Sequence, residues 1–473
     1  MRTSLLTLAA SLLAVSRAGA QTSTTLSPQT RAFVSVDAPV VALTRVRVVD
    51  GTGAPPTEEQ TVVIQNGKIT AVGRTGAVPV PAGARVMELA GHTVIPGIVG
   101  LHDHTFYTTG ARSTQLNTSA PRLYLASGVT TIRTTGSMSP YSEINLKRAI
   151  EKGEVPGPRM YITGPYLTGQ TGVGGMHSVL TPEDARRVVD YWVEEGASWL
   201  KFYTQVSRAA LGAAIDQAHK RGIKVTGHLC SVSFREAVSL GIDNLEHGLF
   251  VSTDYDPEKR PDACPSGSMG KLGTLDIASE PVQATFREMI AKKVPMTSTL
   301  AVFELYVPNR PPLEQRVLDA MSPEVRTEYL QARARLAEPG SIGISPEVFK
   351  RAQQFELAFV RAGGLLAAGV DPTGNGGALP GYGDQRNYEL LIEAGFTPVE
   401  AIRIMTSNGA TVLGAADRYG SIAPGKAADL VVINGNPIAQ PADIRKIVTV
   451  FRDGVGYDPA KLIESVRGLV GVR

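Results

Sequence analysis

Between residues 93 and 415, short apolar runs alternate with amphipathic stretches, and no other feature constrains the fold of this chain as much. "GVTTIRTTG" precedes "SEINLKRAIEKG", "PRMYITGPY" precedes "TPEDARRVVDYWVEEG", and "SWLKFYTQV" precedes "SRAALGAAIDQAHKRG". The pattern continues through "IKVTGHLCS", "DNLEHGLFV", "VPMTSTLAV" and "GLLAAGVDPTG". Strand-length apolar runs, each followed by a helix-period segment, predict parallel strands joined by right-handed crossovers. About eight such units in roughly 330 residues fit an α/β fold of the (β/α)8 TIM-barrel class. The barrel is expected over 93–415. Pro-rich and charged sequence at 252–350 interrupts it and reads as a lid insertion.

The two ends read differently. "TVVIQNGKITAVG" places Asn66-Gly67 between two β-rich runs, which is a hairpin signal. "GSIAPGKAADLVVINGNP" and "IRKIVTVFRDG" are likewise β-rich. A small β-sandwich built from both ends, 35–92 and 416–473, is therefore expected. Ahead of it, "MRTSLLTLAASLLAVSRAGAQ" has a basic start, a short apolar run and an Ala-Gly-Ala ending. This predicts a secretory signal peptide over 1–20, a flexible leader over 21–34, and a secreted or periplasmic protein. The apolar run is too short to span a bilayer, so no membrane association is expected after cleavage. The formal charge of +3 is spread along the chain without a Lys/Arg block, which argues against a nucleic-acid partner. Cys230 and Cys264 are the two cysteines. An oxidising compartment permits a disulfide, yet two free thiols are the preferred reading, with Cys230 packed close to His228.

In a barrel of this kind the chemistry sits at the C-terminal ends of the strands. The chain has seven histidines, and His102, His104, His228 and His247 all fall at such ends. Asp371 ends "LLAAGVD", and Lys201 stands late in "WLKFY". His102 and His104, two apart on an extended chain, point to one side, and Asp103 between them points away. Neutral imidazole binds a borderline divalent cation such as Zn²⁺ through nitrogen. A bound metal lowers the pKa of water from about 15.7 towards about 7, and a carboxylate such as Asp371 can ligate and also take a proton. A lysine ammonium would be repelled by a metal, whereas a lysine carbamate is an anionic ligand.

These blocks resemble the amidohydrolase superfamily of metal-dependent hydrolases, and within it the prolidase-like and imidazolonepropionase-like group. "PGIVGLHDH" resembles the first-strand His-x-His motif, "AHKRGIKVTGH" and "GIDNLEHG" the blocks of the third and fourth histidines, and "AAGVDPTG" the last-strand aspartate. "GFTPVEAIRIMTSNGATVLG" followed by "GSIAPGKAADLVVI" resembles the closing helix and the return to the sandwich. The resemblance implies two divalent metals, with zinc the expected ion. His102, His104 and Asp371 hold one and His228 and His247 the other, with an N6-carboxylated Lys201 bridging them. It implies metal-activated hydroxide attacking the C–N bond of a dipeptide, an N-acyl amino acid or a related amide with a free carboxylate, Asp371 moving the proton. "TGQTGVGGMH" resembles a Gly-rich substrate loop and maps to His177. The chain departs from the peptidase pattern after His228, where "LCS" stands in place of a Tyr-containing turn. Tyr203, facing the same side as Lys201, is the substitute catalytic or substrate-binding residue.

Several readings stay open at this stage. His177 is either a substrate contact or a loop-packing residue. Arg386 and Tyr388 either meet a substrate carboxylate, which Arg binds bidentately, or are solvated. His219, at a helix C-terminus, and His92 read as structural. A cyclic amide, lactone or imidazolone hydrolase is the enzymatic alternative, and a secreted binding protein on a retained barrel is the other. A homo-oligomer is compatible with the sequence.

Overall fold

The computed structural model describes residues 26–110, 112–172, 174–374 and 376–472. The expected signal peptide and the first residues of the expected leader lie outside the described residues. The fold is mixed α/β. Strands Val40–Val48, Thr57–Gln65, Lys68–Arg74 and His92–Pro96 join Leu430–Asn434, Ile447–Arg452 and Val455–Tyr457 in one nine-stranded sheet. The seam between the two chain ends is antiparallel and unbroken, with Pro96 opposite Leu430 and His92 opposite Asn434. Val41, Leu43, Val62, Ile64, Val94, Leu430 and Val432 bury one apolar face of this sheet. Alternate positions along a strand share a face, which is why those apolar positions step by two. The Asn66-Gly67 hairpin forms as the sequence predicts, with both residues at positive φ (49° and 76°), the backbone that a two-residue hairpin turn needs.

Residues 26–34, expected to belong to a flexible leader, are folded. Leu26 is buried in the core, Ser27 caps the short helix Pro28–Arg31 by accepting from Thr30 N at 3.2 Å, and Val34 pairs with Tyr457. The physical reason is local. Ser-Pro supplies an N-cap and a first-turn proline together, and Leu26 gains more from the core than from water.

All strands in between are parallel apart from one small hairpin. Ile98–Asp103, Val129–Thr134 and Arg159–Tyr161 form a three-stranded sheet. Tyr166–Thr168, Met176–Ser178, Trp199–Phe202, Lys224–Gly227, Asn244–Glu246, Met296–Ser298 and Leu366–Ala368 form a seven-stranded one. Ile98–Asp103 and Val129–Thr134 are buried at every position, as parallel strands covered on both faces must be. Beyond the last strand, Val370 N and Asp371 N donate to His102 O at 3.1 and 2.7 Å, which fastens the end of the series to its beginning. The intervening helices start where side chains can satisfy their free N–H groups. Thr181 with Asp184, and Ser233 with Glu236, make capping boxes for Pro182–Glu194 and Phe234–Leu240.

Two further outcomes concern the interruption at 252–350. It is not lid sequence throughout, because helix Glu280–Ala291 and strand Met296–Ser298 inside it continue the alternation. Cys230 and Cys264 are joined in a disulfide, so the preference for free thiols is corrected. The insertion folds back over the loop after Lys224–Gly227, where Thr253 Oγ1 donates to Cys230 O at 3.0 Å, and this long-range approach brings the sulfurs together. Thiol titration of the unreduced, denatured protein is expected to find no free cysteine. The Cys230→Ser/Cys264→Ser variant is expected to lose about 3 kcal/mol of stability in denaturant melts.

Glu356, on helix Pro346–Arg361, is buried, and burial pushes its carboxyl up to about 8. It is protonated in the fold but ionised in the unfolded chain, from its ordinary value of 4.5 upward. The stability it contributes is therefore full below that ordinary value and is lost as pH rises through about 8. Thermal melts across that window are expected to show a shallower decline for Glu356→Gln than for the wild type; an unchanged slope would refute the assignment.

Candidate metal centre

His102 and His104 leave the strand Ile98–Asp103 on one side, and their ring contacts set which nitrogen carries the proton. His102 Nδ1 lies 2.8 Å from Glu246 Oε2, and His104 Nδ1 lies 2.9 Å from the carbonyl of Gly136. A carboxylate or a carbonyl only accepts, so Nδ1 is the donor in each. In the neutral rings the Nε2 lone pairs then point inward. They meet Asp371 Oδ1 at 3.6 Å from His102 and 3.0 Å from His104. His247 Nδ1 lies 2.7 Å from Thr299 Oγ1 and 3.9 Å from Asp371 Oδ2. His102, His247 and Asp371 each offer a ligand atom within 4.8 Å of the others.

Acceptor atoms converging in this way repel one another unless a cation lies between them. Asp371 Oδ1, His247 Nε2 and Lys201 Nζ are buried polar atoms that make no hydrogen bond. Buried polar groups are nearly always satisfied, and a metal ion would satisfy the Asp371 and His247 atoms. The donor set, imidazole nitrogen with carboxylate oxygen, fits a borderline divalent ion. The His228 ring stands 4.4 Å from that of His247 and 4.6 Å from that of Tyr203.

The electrostatics agree with a site that binds cations through neutral rings. Burial, reinforced by Lys201, holds His102 well below the usual imidazole value, and burial with His228 and His102 does the same for His247. Burial, then Lys201, pushes His228 down to about 3. Burial lowers the Lys201 amine to about 8. For Asp371 burial works upward, but His102, His104 and Lys201 outweigh it and keep the carboxyl below its ordinary value.

Backbone geometry also marks the site. His247 and Asp371 both adopt positive φ, 67° and 54°, a conformation that costs a non-glycine residue about 1 kcal/mol or more. Tertiary hydrogen bonds hold them there: His247 N to Thr297 O at 3.0 Å and Asp371 N to His102 O at 2.7 Å. Gly369 lets the two strand ends meet, since a Cβ there would lie 2.3 Å from His102 N.

Sequence reasoning missed the residues beneath the site. Glu246 accepts from Arg133 Nη2 at 2.5 Å, from Asn244 Nδ2 at 2.8 Å and from the Thr226 hydroxyl. Burial raises its carboxyl, but Arg133 and Lys201 more than offset this and hold it ionised. A lone arginine inside "GVTTIRTTG" was the available signal. Tyr166 was missed as well; its hydroxyl lies 3.2 Å from His104 Nε2.

A cavity of about 280 Å³ opens above these residues, with His102, Lys201, His228 and Asp371 among its walls and Tyr166 and Tyr203 beside them. A larger cavity of about 550 Å³ lies at the opposite ends of the strands, around Lys224, Pro295 and Leu365, and holds none of the candidates. Three expected substrate contacts do not reach the smaller cavity. His177 is exposed; it alternates with Met176, which does line the wall. Arg386 is committed to Glu304, at 2.7 and 2.9 Å, and to Glu389 at 2.7 Å. Tyr388 is buried and donates to Pro437 O at 2.9 Å. Asp103 turns back over Gly100 and away from the cavity. His219 contacts Asp243 at 2.9 Å and His92 lies in the nine-stranded sheet, and neither lines the cavity.

The amidohydrolase family signature matches residues 384–456, and no curated protein matches the chain. Among solved structures, a Bifidobacterium longum protein assigned as a prolidase aligns at 24% identity, covering 90% of this chain and 98% of its own, with a TM-score of 0.64. A Xaa-Pro dipeptidase with methionine in its active site aligns at 18% identity over 89% of this chain and all 100% of its own, with a TM-score of 0.65. The ochratoxinase of A. niger aligns at 18% identity over 92% of this chain and 100% of its own, with a TM-score of 0.64. The family match covers residues 384–456 alone, and these solved structures, all below 25% identity, share the fold of this chain.

Glu246 orients His102 through Nδ1, so Glu246→Gln is expected to lower Zn²⁺ affinity about 10- to 100-fold in competition titrations of the folded protein. Unchanged affinity would show that the contact does not tune the ring.

Proposed function

We propose that this protein is an exported, metal-dependent hydrolase that cleaves a carbon–nitrogen bond of an amide or peptide. The observation that carries the reading is the convergence of His102, His104 and His247 ring nitrogens on the Asp371 carboxylate, which lines the cavity. The parallel strands are read as one (β/α)8 barrel, and the sheet of the chain ends as its accessory sandwich. His102, His104 and Asp371 would hold one zinc ion, and His228 and His247 a second. An N6-carboxylated Lys201 would bridge them; its lowered amine pKa supports this, because only the free amine reacts with CO₂. The ions would supply Lewis-acid polarisation and a water of lowered pKa.

The chain's own groups do the rest. Asp371, held ionised, takes a proton from the attacking water and returns it to the leaving nitrogen. Tyr166 and Tyr203, whose hydroxyls burial keeps protonated, donate hydrogen bonds to the carbonyl oxygen as charge builds on it. The expectation of a free substrate carboxylate came from the resemblance, and Arg386 and Tyr388, the side chains expected to meet it, are both engaged elsewhere.

Chelation is expected to abolish amide hydrolysis, with Zn²⁺ restoring it. Lys201→Ala is expected to lose at least about 100-fold in kcat with bound metal reduced, and short-chain carboxylates to rescue it partly. No bound metal in the wild type, or full activity in Lys201→Ala, would overturn the two-metal reading.

A further inference from the structure

Beyond His102, Lys201, His228 and Asp371, the cavity is walled chiefly by aromatic rings and thioethers, with Thr108, Val302 and Thr373 filling in between. Phe106, Tyr166, Tyr203, Phe303 and Tyr306 contribute rings, and Met138 and Met176 contribute sulfur. The wall is braced. Phe303, on the helix Leu300–Glu304, stacks on Phe250 with centroids 4.0 Å apart and planes within 11°. Phe106 meets Tyr166 edge-on at 6.4 Å, and Tyr166 meets Tyr203 edge-on at 5.5 Å. Tyr306, 42% exposed, stands at the rim.

Among the described residues, Lys201 is the one cationic side chain lining the cavity, and it stands with the ligand candidates at the floor. The nearby arginines are committed: Arg133 to Glu246, Arg386 to Glu304 and Glu389, Arg310 to Glu304 and Glu393. A substrate carboxylate placed against this wall would lose its hydration and find no counter-charge. The ring faces are themselves electron-rich and disfavour anions, while they pair well with another ring. Thioethers adapt to apolar groups of varied shape. A volume of about 280 Å³ is at the small end for ligand pockets.

We infer that the cavity takes a compact, uncharged C–N substrate with an aryl or similarly apolar group, an anilide or aryl carbamate in kind, and disfavours substrates with a free carboxylate. Phe303 and Tyr306 set this preference on one side, and Met138 and Met176 on the other. The inference rests on the hydrolase reading above.

The test uses the zinc-loaded full chain, propionanilide and the same anilide carrying a para-carboxylate, with both kcat/KM and ligand-induced shift of the melting temperature measured. The uncharged anilide is expected to be favoured about 100-fold or more in kcat/KM and to give the larger melting shift. Met176→Arg is expected to narrow the ratio at least about tenfold by raising kcat/KM for the carboxylate partner. Equal or better use of the carboxylate partner overturns the inference and leaves the hydrolase reading standing. A melting shift from the uncharged anilide alone, with neither compound cleaved, supports the pocket assignment and counts against the hydrolase reading. No shift from either compound, with neither cleaved, overturns the inference.

Discussion

The ion pair between Arg133 and Glu246, both fully buried at 2.5 Å, is the interaction on which the site depends. Two charges in the interior cost several kcal/mol each to desolvate, and the cost is offset only when every remaining lone pair and proton is used. Glu246 meets that condition nearly in full, with Thr226, Asn244 and His102 completing its contacts. Arg133 also donates to Leu101 O at 2.8 Å and lies over the Trp199 ring at 4.5 Å. One pair therefore ties together the strands Ile98–Asp103, Val129–Thr134, Trp199–Phe202, Lys224–Gly227 and Asn244–Glu246. Because Glu246 accepts from His102 Nδ1, the same contact decides which nitrogen faces the cavity. Stability and ligand orientation share one carboxylate.

What lies above that pair follows from strand ends. Parallel strands stop in register on one side, so their last side chains gather there without any further device. The lone pairs of His102, His104 and His247 and the carboxylate of Asp371 meet because their strands end at the same level. Left-handed backbone at His247 and Asp371 turns the chain at the point where the side chain must face inward. The cost of that conformation is met by hydrogen bonds to neighbouring strands, so the chain is held open for a ligand before one arrives.

The parts legible in the sequence were those governed by short-range pattern. Helix and strand periods predicted the alternation, and rare residue types at strand ends predicted His102, His104, Lys201, His228, His247 and Asp371. The misplaced residues needed information that local pattern does not carry. His177 failed on a one-residue alternation: Met176, its neighbour, faces the wall. Arg386 looked available only because Glu304, 82 residues away, could not be paired with it from sequence. The Cys230–Cys264 link spans 34 residues and depends on how the insertion folds back. Arg133 and Glu246 were visible as charges inside apolar runs, but their pairing is a property of the assembled interior.

The seam between the chain ends has a consequence for biosynthesis. Thr93 Oγ1 reaches Gly435 O at 2.6 Å across 342 residues of sequence, and His92–Pro96 waits for Leu430–Asn434 to be made. At typical translation speeds of about 5–20 residues per second, that edge stays unpaired for roughly 20 to 70 s. An open, apolar strand edge is a template for mispairing. The nascent chain thus carries an open strand edge for most of its synthesis, and Leu430–Asn434 is the segment that closes it.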